Sequence, residues 1–136
     1  MKRRDLQVLA NARLKDAQIL FQNRRFDAAY YLAGYAIECA IKACVARKTK
    51  RYDFPDKDLA NQVYVHDLTK LLRPAGLAQL WQEELQVDPA LEVKWGVVKD
   101  WTERSRYGTH TRQKAKDMIE AVGGPQGILE CIRKYW

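Results

Sequence analysis

The run from Ala28 to Ala46, AAYYLAGYAIECAIKACVA, is apolar on nearly every side of a helix and carries charge at Glu38 and Lys42 alone. A helix that is hydrophobic all round has to be surrounded. The run therefore predicts a central helix, from about Phe26 to Lys48, with the rest of the chain packed around it. Within it Ala29, Ala33, Ala36, Ala40 and Ala43 recur three and four apart, a spacing that gathers small side chains where neighbouring helix backbones approach closely. Tyr30, Tyr31 and Tyr35 add bulk, and their hydroxyls need partners wherever they are buried. The two charges break the roughly 18 uninterrupted apolar residues that a membrane span requires, so the expectation is a soluble protein without a membrane role.

The flanking segments repeat the helical period. Leu6, Leu9, Ala10, Leu14, Ala17, Leu20 and Phe21 line one face of a helix over about residues 5 to 22, and the short polar connector Gln22 to Arg25 makes the central helix its antiparallel neighbour. From Thr49 to Val65 the pattern dissolves into charge around Pro55, which predicts a mobile connecting loop. His66, Asp67 and Leu68 open a short helix through Leu72, with Asp67 near its first turn and Arg73 to Gly76 closing it. Leu77 to Leu85 is a further helical run stopped at Asp88 and Pro89. Residues 91 to 107 read either as an alternating strand or as a helix through Leu91, Trp95, Val98 and Trp101; a helix is expected, because a lone strand has no partner here. After a break at Tyr107 to Thr109, a helix from about Thr111 to Val122 ends at Gly123 and Gly124, where left-handed dihedrals are permitted, and Pro125 to Tyr135 forms the last, with Ile128, Leu129 and Ile132 inward.

With 136 residues and only 7 Gly and 4 Pro, the chain has the length of one domain, residues 1 to 136, and too few turn-formers for a sandwich or barrel. An all-α fold follows. Met1 to Arg4 imitates the basic start of a secretory signal, but Asp5, Arg13, Lys15 and Asp16 interrupt the apolar stretch that has to follow. Cys39, Cys44 and Cys131 are an odd set without a C-x-x-C pair, which suits reduced, buried thiols. A cytoplasmic location is expected.

Charge is uneven along the chain. Residues 1 to 51 carry 12 lysines and arginines against 4 acidic residues, whereas residues 52 to 136 carry 12 against 13. The clusters at Lys2 to Arg4, Arg24 with Arg25, and Arg47 to Arg51 are able to attract a polyanion, each neutralised phosphate releasing counterions; a plain solvated basic surface is the alternative. His66 and His110 are far apart with no cysteine pair beside them, so neither a metal nor another cofactor is expected. No Gly-rich phosphate loop and no nucleophile elbow is present. Glu38 and Lys42, one turn apart with the acid first, read as a semi-buried ion pair rather than as a catalytic acid.

The remaining constellation runs from Trp101 to Arg112 and contains Arg104, Arg106, Tyr107, His110 and Arg112. Guanidinium groups bind phosphate in bidentate fashion. Metal-free RNA cleavage needs an acid/base group for the ribose 2′-hydroxyl and a cation for the phosphorane charge. His110 with Arg104 or Arg106 can fill those roles. The competing reading has His110 capping or packing at a helix end, with the arginines solvated or paired to Glu103.

Taken in order, Leu6 to Phe21, then the central-helix pattern Ala29, Tyr31, Ala36, Glu38, Lys42 and Ala43, then His66, Asp67, Leu68 with Leu71 and Leu72, then Trp101 with Arg106 and Tyr107, the chain resembles the HEPN family (higher eukaryotes and prokaryotes nucleotide-binding) over most of its length. The resemblance implies an up-and-down bundle of four to five main helices plus short ones, commonly a homodimer and often found beside a minimal nucleotidyltransferase subunit in toxin and antitoxin pairs. It also implies action on RNA or a nucleotide, many members being metal-independent ribonucleases with an Arg, four to six residues, then a His. Arg104 and His110 enclose five residues and fit, Ser105 being the polar residue after the arginine. Arg106 is the alternative match and leaves three, fewer than the motif requires. The resemblance assigns the catalytic set to His110, Arg104 and Arg106; the alternative is a non-catalytic nucleotide- or partner-binding module. On the same comparison His66 is a packing or capping residue.

Overall fold

The computed structural model describes residues 2–49, 61 and 65–136. The loop expected from Thr49 to Val65 lies outside these apart from Thr49, Asn61 and Val65. Every regular element among the described residues is helical: α1 Arg3–Gln22, α2 Phe26–Lys48, α3 Leu68–Leu71, α4 Ala78–Val87, α5 Pro89–Val98, the 3-10 turn η1 Glu103–Tyr107, α6 Arg112–Gly123 and α7 Ile128–Arg133.

α2 has the ends that the sequence predicts. The five alanines of its stripe are fully buried, as are Ile37 and Ile41, and α1, α3, η1, α6 and α7 all lie against it. The α1–α2 connector turns tightly through Arg24 in a left-handed conformation (φ 62°), with the Arg25 amide donating to the Leu20 carbonyl at 2.9 Å. Two side chains start helices as read from the sequence: Asp67 Oδ1 accepts from the Lys70 amide at 3.2 Å, and Thr111 Oγ1 accepts from the Lys114 amide at 3.1 Å. Each satisfies one of the orphan amides of a helix start. Asp88 ends α4 and caps α5, its Oδ1 accepting from the Leu91 amide at 3.2 Å, with Pro89 at the first helical position. α4 and α5 close on each other through Trp81 and Trp95, edge to face at 5.2 Å between ring centres.

Two expectations change. Residues 91 to 107 do not make one helix. α5 stops at Val98, the chain passes through Lys99 and Asp100, and the extended residue Thr102 (φ −137°, ψ 167°) begins η1. Thr102 donates its amide to Ser105 Oγ at 3.5 Å while the Ser105 amide donates to the Thr102 carbonyl at 3.0 Å, a local exchange that competes with a continuing helix. Trp101 is nonetheless buried, and its indole lies against Gly34 of α2, where an added Cβ would fall 2.2 Å from the ring. The second change concerns the end of α6. Gly124 is extended (φ −72°, ψ 176°), and the left-handed residue is Gln126 (φ 55°). The glycines are there for space: a Cβ on Gly123 would lie 2.7 Å from Leu14 of α1, and one on Gly124 2.6 Å from the Glu120 carbonyl oxygen.

In α7, Ile128, Leu129 and Ile132 face the core as expected. The C-terminal residues are tied to other elements by Lys134 Nζ and Tyr135 OH, which both donate to Glu84 Oε1 at 2.7 Å, and by Arg3, which donates to the Trp136 carbonyl at 2.8 Å. No described helix is long and apolar enough to cross a membrane.

Candidate functional site

η1 carries Arg104 and Arg106, and His110 follows three residues after its end. No residue of the turn is buried. Arg104 and Arg106 are exposed on it, and the Arg106 guanidinium lies 4.9 Å from the centre of the Tyr107 ring; electrostatic attraction to the Tyr107 phenol raises the guanidinium above its ordinary value. The turn is held to α2 from behind by Trp101, whose ring stacks on Tyr31 at 5.6 Å; Tyr31 in turn stacks on Tyr35 at 6.1 Å. Burial first, then Cys39, pushes Tyr35 up to about 12, and burial pushes the Cys39 and Cys44 thiols up to about 11, so neither thiol is poised as a nucleophile.

His110 sits at the far end of the turn and faces inward. Its ring stacks on Tyr30 at 4.0 Å with a 22° tilt, and Lys114 Nζ lies 5.3 Å from the centre of the same tyrosine ring. Nε2 is 3.1 Å from the Ser105 carbonyl oxygen. A carbonyl only accepts, so Nε2 carries the hydrogen and Nδ1 is the accepting nitrogen of the neutral ring. That Nδ1 is buried and has no partner among the described residues. The His110 amide donates to Asp27 at the start of α2. Neither guanidinium of Arg104 and Arg106 is hydrogen-bonded to His110.

The second histidine is the residue that spacing misses. His66 Nδ1 lies 2.8 Å from Glu38 Oε1, and its Nε2 lies 3.3 Å from Glu103 Oε2 at the head of η1. Helix capping, one of the two roles expected of His66, falls to Asp67. The Glu38 side chain is 3% exposed, those of His66 and Glu103 are 40% and 44% exposed, and Lys42 Nζ meets the other Glu38 oxygen at 3.5 Å. The Glu38–Lys42 pair read from the sequence is therefore present, but as half of a larger arrangement. Its signal was available in part: a carboxylate in the middle of an apolar helix needs hydrogen-bonding partners, and one lysine with a partly exposed side chain leaves an oxygen to satisfy. Glu38 and Glu103 meet opposite nitrogens of the His66 ring, and no group of three such side chains is placed to hold a metal ion among the described residues.

An all-helical body built on one buried helix, with a cationic turn against it and a histidine at each end of that turn, defines a class. The family model for the HEPN domain matches residues 5–135. The chain belongs to the HEPN domain family and has its all-α fold. No curated protein and no solved structure matches the chain.

Proposed function

We propose that this HEPN protein acts on RNA as a metal-independent endoribonuclease whose phosphate-binding element is η1. The observation that carries the reading is the placement of Arg104 and Arg106, both exposed, on a turn that contacts both histidines of the chain. Guanidiniums at that position bind and neutralise a phosphodiester, and a histidine supplies proton transfer without a metal. The excess of lysine and arginine over residues 1 to 51 steers RNA to the surface by long-range attraction. In keeping with the resemblance, a homodimer, a minimal nucleotidyltransferase subunit as partner and a toxin-like role belong to the same reading.

A second reading, a module that binds a nucleotide or a partner without turnover, draws support from His110, whose nitrogens are taken up by a carbonyl and by burial. One experiment separates the two. Purified protein is incubated with RNA of mixed sequence, with and without a chelator, beside an Arg104→Ala, Arg106→Ala double variant. The ribonuclease reading expects 2′,3′-cyclic phosphate ends insensitive to chelator. It also expects the salt dependence of binding by the double variant to flatten by about 0.7 log units per log unit of salt for each arginine that meets a phosphate on single-stranded RNA. Intact RNA that is nonetheless bound rejects cleavage and supports the module.

A further inference from the structure

We propose that His66, rather than His110, is the acid/base group of this site, with Glu38 as the residue that positions it; the inference rests on the ribonuclease reading above. The two imidazoles differ in which nitrogen can accept a proton and where that nitrogen points. In His110, Nε2 is spent on the Ser105 carbonyl and the accepting Nδ1 is buried. In His66 the order is reversed. The buried Glu38 carboxylate takes the Nδ1 hydrogen at 2.8 Å, which leaves Nε2 as the accepting nitrogen of the neutral ring. Nε2 faces the half-exposed side chain of Glu103, the residue next to Arg104, at 3.3 Å; a carboxylate only accepts, so Nε2 holds a hydrogen while Glu103 is there and becomes the accepting nitrogen once Glu103 is displaced. A buried carboxylate on one ring nitrogen, with the other facing a side chain that solvent can reach, is the arrangement by which a carboxylate fixes the tautomer of a catalytic imidazole and stabilises its protonated form.

The step is then local to the head of η1. Nε2 of neutral His66 takes the proton of a ribose 2′-hydroxyl. The O2′–P bond forms as the P–O5′ bond breaks, the departing 5′-oxygen takes a proton from solvent, and the imidazolium returns its own to water. The products are a 2′,3′-cyclic phosphate and a 5′-hydroxyl, and Arg104 with Arg106 carries the phosphorane charge. Glu103 accepts from the Nε2 hydrogen of the imidazolium and swings outward when a ribose approaches. Among the described residues, the charged groups at His66 are Glu38 from α2 and Glu103 from η1, with Lys42 on the other Glu38 oxygen and Asp67 next to it in the chain.

The test uses the full chain with RNA as substrate, and 2′-O-methyl RNA of the same sequence as a probe that binds without being cleaved. His66→Ala lowers the cleavage rate at least about 100-fold, the scale of a lost acid/base group, with an unchanged circular dichroism spectrum. Glu38→Gln keeps the shape of the side chain but removes the charge beside the imidazolium, so the acidic limb of the rate profile moves to lower pH; a purely structural Glu38 leaves the limb in place. His66→Ala cleaving within tenfold of the parent, or an unmoved limb in Glu38→Gln, overturns the proposal. If the parent leaves RNA intact, the ribonuclease reading has failed, and the probe still decides the placement. The His66 ring signal in NMR shifts on adding 2′-O-methyl RNA if this is where ribose lies, and an unmoved His66 signal rejects it.

Discussion

Two histidines attach to one five-residue turn, and the molecule treats them in opposite ways. At the end that leads into α6, His110 is stacked on Tyr30 and anchored through a backbone carbonyl, so its ring serves as packing. At the head of the turn, His66 is held between carboxylates, one buried and one half-exposed. The difference comes from what α2 offers at each level. Near its first turns it presents the flat face of Tyr30; further along, the same helix presents Glu38 and Lys42. An aromatic face takes an imidazole in any protonation state as a stacking partner, whereas a carboxylate selects the tautomer. A histidine at a motif-like spacing is therefore no guide to a usable nitrogen.

Trp101 is the common root of both arrangements, and removing it is the strongest way to break the comparison. Its ring fills the notch at Gly34 and carries Tyr31 on its face. Trp101→Ala leaves a cavity under η1 and costs about 3–5 kcal/mol. Chemical denaturation measures the loss. Both histidine signals move together in this variant, since the turn they share is released.

The fold was legible where its causes are local. The ends of α2 follow from the length of the apolar run between Arg25 and Thr49, and Asp67, Asp88 and Thr111 cap or stop helices through atoms three residues away. Glu38 with Lys42 was legible for the same reason, since both lie on one helix face. The site was half legible. Arg104, Arg106 and His110 share a short segment, but spacing says nothing about which way a ring turns, and the Tyr30 face that claims His110 lies on another helix. Glu38, His66 and Glu103 belong to three separate elements, and only packing brings them together. The glycine pair at the end of α6 misled for a related reason: glycine permits a left-handed turn, but here it makes room for Leu14 and for the Glu120 carbonyl.

A smaller change separates the two histidines. Tyr30→Leu removes the stacking surface under His110 and leaves Glu38, Lys42 and Glu103 in place. The lost aromatic pair costs about 1 kcal/mol beyond the change in apolar area. In NMR the His110 ring signal moves and the His66 signal does not. Equal movement of both would mean that the turn is one rigid unit, and the contrast drawn between its ends would have to be given up.

The smallest effect concerns pH, because any titration assigned to His66 has to be read against the carboxylates. Hydrogen bonds from Lys134 and then Tyr135 hold Glu84 below its ordinary value of 4.5. A depressed carboxylate contributes stability that is present above the unfolded value and disappears as pH falls through the folded one, so this contribution fades below about pH 4.5 and is constant over the range in which a histidine titrates. The Glu84 side chain is 26% exposed and that of Lys134 53%, and an ion pair open to solvent to this extent adds little by itself. Glu84→Gln therefore lowers the melting temperature slightly at pH 7 and loses less than the parent on acidification to pH 3. Thermal denaturation at the two pH values measures it. If the variant and parent lose equally, the acid response lies elsewhere among the carboxylates, and Glu38 beside His66 becomes the next group to replace.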